Sequence, residues 1–215
     1  PAIENEADGK EVPLWDFKHT LDELHHLNKI DPFTFETQYM QNPTPMVGLM
    51  YGVFKTYKEI PYTNRAIRKN YTDTADTGID KLCSIDYIDT EIGNFILNVL
   101  YTDAPMEVTE PKVATMLAKD GITVANIESN NGGRGFARNV EKQSRIIGNN
   151  ETEIKWFHQS ENKEVRIFTR SAEVMNLTYM PEGWETLFPE FHAEIKSFRK
   201  FGKNAHDDGA DALTG

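Results

Sequence analysis

Cysteine is almost missing from this chain: Cys83 stands alone, which excludes an internal disulfide and fits a reducing interior. Long hydrophobic runs are missing as well. No stretch approaches the ~20 apolar residues of a membrane span, and no N-terminal signal pattern is visible. Positive charge is scarce: 23 basic residues face 34 acidic ones, for a net charge of -11. That excludes a whole-surface attraction to nucleic acid, so any such contact needs a local basic patch, metal ions or a partner domain. Neither G-x-G-x-x-G nor G-x-x-x-x-G-K-[ST] occurs, so Gly132, Gly133 and Gly135 read as turn formers rather than a phosphate cradle. What is present is ordinary for a globular protein, 215 residues with 39% hydrophobic and 11% aromatic content. That allows one domain with a sizeable core, preceded by a short appendage. The start at Pro1 and the helix-like Ala212-Leu213-Thr214-Gly215 end read as a fragment of something longer.

Residues 1–12 are polar and acidic and read as disordered or a linker remnant. Thr20 and Glu23 form a capping box ahead of a helix near 21–30, and Asp31-Pro32 restarts a helix that ends before Pro43. His25 and His26 are adjacent, diverge on a helix, and read as surface residues. From about residue 66 the pattern turns to strands. AIRKNYTDTA, KLCSIDYID and NFILNVLYTD carry β-branched and aromatic residues, the last two joined by a tight turn at Glu91-Ile92-Gly93. PKVATMLAKDG predicts a helix with Pro111 in its first turn and Gly121 at its end. Then come a buried-type strand in ITVANIES, a helix in RGFARNVEKQSRII and a strand in EIKWFHQ. A helix around 163–175, a strand in LTYMP, a helix near 184–198 and a last helix from Asp207 complete the chain. Three antiparallel strands followed by alternating helices and strands predict an α/β domain with a mixed central sheet.

Three acidic clusters sit where strands end or helices begin. Asp73 ends the first strand, with Asp76 and Asp80 across a Gly78 turn; a plain Asp-rich turn is the alternative. Glu128 closes an apolar strand before a Gly-rich turn, the crevice where open α/β sheets bind ligands. His206, Asp207, Asp208 and Asp211 lie within six residues, and Asp208 and Asp211 share a helix face; acids simply favouring a helix N-terminus are the alternative. No Lys or Arg among the nearest sequence neighbours neutralises these carboxylates. A hard divalent cation such as Mg2+ is the usual relief. Arg134, Arg138, Lys142 and Arg145 align on one face of the helix after Glu128, either a solvated face or a phosphate-backbone contact.

On these residues the chain resembles the C-terminal nuclease domain of the large terminase subunit of tailed phages, over nearly its whole length. FETQYMQNP looks like the family's segment joining ATPase to nuclease. YTDTADTGID, IESNNGG and HDDGADAL look like its three acidic motifs. The resemblance implies a ribonuclease H-like (RuvC-type) fold, with residues 1–60 a linker with short helices to an ATPase domain and 61–215 the nuclease. It implies cleavage of concatemeric double-stranded viral DNA during packaging, using two divalent ions, Mg2+ or Mn2+. Asp73, Glu128 and Asp208 become the catalytic metal-binding core, with Asp207 and Asp80 as further ligands and His206, Asp211 and Asp76 as accessory groups. The choice between Asp76 and Asp80 stays open. No ATPase motif is present, so ATP hydrolysis is not expected of residues 1–215 alone. The implied partners are the ATPase domain, the portal and the small terminase subunit, in the cytoplasm of an infected or lysogenic bacterial host, with no membrane. Another ribonuclease H-like nuclease, of the junction resolvase or transposase type, and a non-catalytic packaging or docking module remain as alternatives.

Overall fold

The computed structural model describes residues 2–5, 10–30, 35–41, 48–74, 80–129 and 133–215. At the N-terminal end β1 (Ile3–Asn5) and β2 (Glu11–Pro13) pair antiparallel, so part of the segment read as unstructured is a two-stranded ribbon. Helix α1 (Leu21–Ile30) starts where the capping box places it. The Thr20 N–H donates to Glu23 Oε2 at 2.9 Å, and the Glu23 N–H returns to Thr20 Oγ1 at 3.3 Å. Asp31-Pro32 and Asn42-Pro43 lie outside the described residues; between them Phe35–Tyr39 is a single π-helical turn. Leu24, Ala2, Ile3 and Phe35 form a small separate core.

The principal sheet has seven strands. β3 (Lys55–Tyr57) is an edge strand with no clear local signal in the sequence. It is followed by β4 (Ala66–Asp73), β5 (Leu82–Thr90) and β6 (Gly93–Thr102), an antiparallel meander as the alternation predicts. Helix α2 (Met106–Lys119) opens five residues before Pro111, which therefore sits inside it rather than in its first turn. Pro105 at the N-cap makes the earlier start possible, and Pro111 forgoes only the bond its N–H would make to the Glu107 carbonyl. Gly121, at φ +62°, closes α2: its N–H reaches Ala118 O at 3.3 Å and Ile122 N–H reaches Leu117 O at 2.9 Å, a Schellman cap.

Then follow β7 (Val124–Glu128), α3 (Gly133–Ile146), β8 (Glu153–Phe157), α4 (Lys163–Leu177) and β9 (Thr178–Pro181). The helix predicted near 184–198 is split into α5 (Trp184–Leu187) and α6 (Pro189–Ser197), because Pro189 drives Phe188 out of helical conformation. Helix α7 (Asp208–Thr214) ends the chain, with Asp207 at its N-cap position.

Strand order is β3-β9-β6-β5-β4-β7-β8, with β7 parallel to both β4 and β8, and β9 parallel to both β6 and β3. Helices α2 and α3 cover one face over Leu82, Val113, Leu117, Ile127, Phe136 and Val140. The other face buries Tyr71, Ile85, Met180, Phe191, Ile195 and Ala212 with α4 through α7, and Met50, Tyr51 and Phe54 join this core. Alternation along β4 sends Tyr71 to that second face, while Asn70 and Thr72 meet Ser84 and Asp86 of β5 in a fully buried polar network. Asn70 Nδ2 donates to Ser84 Oγ at 2.8 Å and to Asp86 Oδ1 at 2.7 Å; Thr72 Oγ1 donates to Asn70 Oδ1 at 2.9 Å.

Candidate metal centre

Asp73 and Glu128 are the last residues of two neighbouring parallel strands, so the sheet itself places their carboxylates side by side. Helix α7 lies across β4 and β5 and supplies Asp208 and Asp211 from its first turn. Its position depends on Glu194 of α6, whose carboxylate accepts the Ala210 N–H at 3.0 Å and the Tyr101 hydroxyl. Gly209 permits that approach: a Cβ there would lie 2.9 Å from Glu194 Oε1 and 3.1 Å from the Phe191 ring. Carboxylate oxygens of Asp73, Glu128 and Asp211 lie within 4.8 Å of one another, and all three residues are buried. Asp208 joins from the side, accepting the Lys81 N–H at 2.9 Å.

Two cations absent from the sequence reading enter from α4. Lys163 Nζ stands 2.9 Å from Asp207, 3.1 Å from Asp208, 3.3 Å from Asp73 and 3.5 Å from Asp211. Arg166, its side chain only 1% exposed, reaches Glu128 Oε1 at 3.0 Å through Nη2 and grips Asp211 through both Nε and Nη2, while Nη1 has no hydrogen-bond partner. The Tyr71 hydroxyl donates to Glu128. Five carboxylates against two cations leave the centre formally at three negative charges. The expectation that nothing basic neutralises the cluster therefore fails in space.

A local signal for these cations exists: Asn162 caps α4, accepting the Val165 N–H at 3.1 Å, and Lys163 and Arg166 follow in the first turn. Cations there oppose the helix dipole and point to carboxylates elsewhere.

Burial pushes the Asp73 carboxyl up to about 8, although Lys163 pulls it down; Asp211, Glu128 and Asp208 add repulsion. Burial likewise raises Asp211 against the opposing pull of Arg166 and Lys163. Burial alone would lower Lys163, but Asp73, Asp211, Asp208 and Asp207 together hold its pKa above the ordinary value.

The remaining sequence candidates are less central. Asp80 is exposed, with no hydrogen bond or ion pair to the cluster, and Asp76 lies outside the described residues. Asp207 is half-buried and touches the centre through Lys163. His206 lines a neighbouring groove. The basic face of α3 is exposed as expected, but Arg145 pairs with Glu141 and Arg134 stacks 4.5 Å over the Trp156 ring. Arg138 and Lys142 line a shallow groove of about 370 Å³ with that same glutamate.

An open mixed sheet covered on both faces, with acids at the ends of two adjacent strands and on a crossing helix, defines a ribonuclease H-like α/β fold. No family model and no curated protein matches the chain. Among solved structures, the Mn-soaked human cytomegalovirus terminase nuclease domain superposes with a TM-score of 0.53 at 8% identity, over 75% of this chain and 87% of that one. The same domain, Mn-soaked and inhibitor-bound, gives 0.51 at 11% identity over the same shares. The nuclease domain of the large terminase subunit gp2 of bacterial virus Sf6 gives 0.49 at 13%, over 71% and 88%. The two cytomegalovirus superpositions show that the chain shares the fold of that terminase nuclease domain, as the sequence resemblance implies.

Proposed function

We propose that this chain is a metal-dependent endonuclease domain of a terminase large subunit, cutting concatemeric double-stranded viral DNA during genome packaging. The observation that carries the reading is the convergence of Asp73, Glu128 and Asp211 oxygens within 4.8 Å in a buried, net-negative centre. An all-carboxylate donor set suits Mg2+ or Mn2+, which prefer hard oxygen ligands. Asp73, Glu128, Asp208 and Asp211 would hold the ions, with Asp207 at the rim. When bound, such ions lower the pKa of an attacking water and stabilise the charge developing at phosphorus and on the leaving oxygen.

The chain's own groups prepare that centre. Arg166 and the Tyr71 hydroxyl hold Glu128 in one orientation, and Arg166 does the same for Asp211. Lys163, a third exposed, keeps its ammonium among Asp73, Asp207, Asp208 and Asp211, at the mouth of the centre where a phosphate oxygen would approach. In the intact protein we assign the residues ahead of Gly48 to the junction with an ATPase domain, because Met50, Tyr51, Phe54 and β3 already belong to the principal sheet and its core, with portal and small terminase subunit as partners in the host cytoplasm. Among the described residues no helix is long and apolar enough to cross a membrane.

Incubation with supercoiled plasmid tests the reading. Nicking and linearisation should require added Mn2+ or Mg2+ and vanish in Asp73→Asn. Cleavage that persists in excess chelator overturns it, and a strong preference for branched over linear DNA moves the chain to the junction-resolving class.

A further inference from the structure

An acidic centre repels the phosphate it is meant to cut, so positive charge must be supplied close by. Residues 195–206 supply it: Lys196, Arg199, Lys200 and Lys203 carry four positive charges with no acid among them, in a chain of net charge -11. This segment runs directly into Asp207 and Asp208.

The segment is built rather than merely exposed. Arg199 bridges antiparallel to Leu49, Met50 N–H donates to Phe198 O at 2.7 Å, and Lys200 N–H donates to Gly48 O at 2.7 Å. Asn204 then clasps the loop, accepting the Arg199 N–H at 2.8 Å and donating back to the Arg199 carbonyl at 3.2 Å. Gly202, at φ +95°, makes the turn between them. The clasp leaves side chains pointing outward, and no ion pair joins Arg199, Lys200 or Lys203 to any described carboxylate. The α3 stripe differs, because Arg145 there is already partnered by Glu141.

Phe201 sits between the cations at 75% exposure, its ring 6.2 Å from that of Phe168, itself 49% exposed. Grooves flank the loop on both sides. One, of about 890 Å³, takes Arg199, Lys203 and His206 in its lining with Lys29, against Asp103, Glu194 and a Glu190 that Lys81 pairs at 2.6 Å. The other, of about 380 Å³, runs from Phe201 and Lys200 to Asp207.

We infer that the clasped loop 199–206 holds duplex DNA at the acidic centre, with Arg199, Lys200 and Lys203 on backbone phosphates and Phe201 against the sugars of the minor groove. Charge complementarity selects the partner: cations without counter-ions, interleaved with an exposed aromatic ring, suit a polyanion with apolar sugar and base faces. The inference rests on the nuclease reading and adds to it the surface that presents the scissile strand.

The test is fluorescence anisotropy of a labelled random-sequence duplex in chelator, across a salt series. It compares wild type with a triple variant (Arg199→Ala, Lys200→Ala, Lys203→Ala), with Phe201→Ala, and with an Arg138→Ala, Lys142→Ala pair on α3. The triple variant should bind roughly tenfold or more weakly, and the log-log salt slope should fall by about 2 to 3, near 0.9 per lost phosphate contact. Phe201→Ala should weaken binding without changing the slope. Wild-type affinity and slope in the triple variant overturn the inference, and a slope lost only in the α3 pair moves the holding surface there. If chelator-state binding is too weak for a slope, plasmid cleavage decides. The triple variant should then cut at least tenfold more slowly at low salt while binding Mn2+ with unchanged affinity by calorimetry, and equal cutting overturns the loop's role. A wild type that never cuts refutes the nuclease reading itself, a separate outcome from a wild type that cuts no faster than the triple variant. Unchanged circular dichroism confirms that the exposed substitutions leave the fold intact.

Discussion

Replacing Asp73 with asparagine should stabilise the metal-free protein at neutral pH, even though it removes a group at the centre of the site. Burial pushes this carboxyl from 3.8 up to about 8 in the folded chain. A carboxyl raised in the folded state contributes its stability in full below its unfolded value, near pH 4, and loses it as pH rises through about 8. Between about pH 4 and pH 7 the unfolded carboxyl releases its proton while the folded one keeps it, which takes roughly 4 kcal/mol from folding stability. Asparagine has the same shape and never ionises. Lys163 is not orphaned by the change, since Asp207, Asp208 and Asp211 remain at 2.9, 3.1 and 3.5 Å. The pull of Lys163 at 3.3 Å is already part of the raised value, and relaxation around the site reduces the gain to about 2–3 kcal/mol, or roughly 4–10 °C in Tm for a domain of this size. Thermal melts in chelator should show a small difference at about pH 5 that grows toward pH 8. Added Mn2+ should raise the wild-type Tm and leave that of the variant nearly unchanged, because a ligand has gone. A variant less stable than wild type at pH 7 in chelator would refute the reasoning, showing that attraction to Lys163 outweighs the burial cost.

Two further outcomes follow from the cations of α4. Arg166→Met takes the shared guanidinium from the buried Glu128 and Asp211, leaving only the Tyr71 hydroxyl on one and Lys163 near the other, and should cost about 3–5 kcal/mol in denaturant unfolding, part of it restored by Mn2+ at the same oxygens; an unchanged midpoint would contradict the assigned contacts. Lys163→Met removes an ammonium competing for the oxygens of Asp73 and Asp211 and should tighten Mn2+ binding roughly tenfold, about 1.4 kcal/mol, by calorimetry; weaker binding would show instead that Lys163 shapes the site for the metal.

Local physics explains which parts of this molecule can be read along the chain. The capping box at Thr20 and Glu23 and the β4–β5–β6 meander are legible because their signals are complete within a few residues. The start of α2 is not, since Pro105 and Met106 carry no side-chain cap and Pro111 imitates a first-turn proline. Strand β3 has only three residues and owes its existence to parallel pairing with β9, more than a hundred positions away. The same division governs the site. Asp73 and Glu128 announce themselves as acids closing strands, the second of them largely apolar. Asp208 and Asp211 share a helix face, but which of them turns toward the strand-end acids depends on how Glu194 and Gly209 seat α7. Lys163 and Arg166 show in the sequence only as first-turn cations opposing the helix dipole, and their partners stay hidden, because only the packing of α4 against α7 brings them to carboxylates far along the chain.

The polar network between Asn70, Thr72, Ser84 and Asp86 has a consequence for assembly of the sheet. Pairing of β4 with β5 sets Asn70 opposite Asp86 and Thr72 opposite Ser84. A slip of one residue would turn these side chains into the hydrocarbon layer beneath α4 and α7, unpaired, and would bring Tyr71 and Cys83 out of it. Misaligned hairpins are thereby heavily penalised where a uniformly apolar interface would tolerate them. The network works as a keyed joint for the strand that ends in Asp73, so the position of that carboxylate beside Glu128 is fixed by the pairings of Asn70 and Thr72 just before it on the same strand.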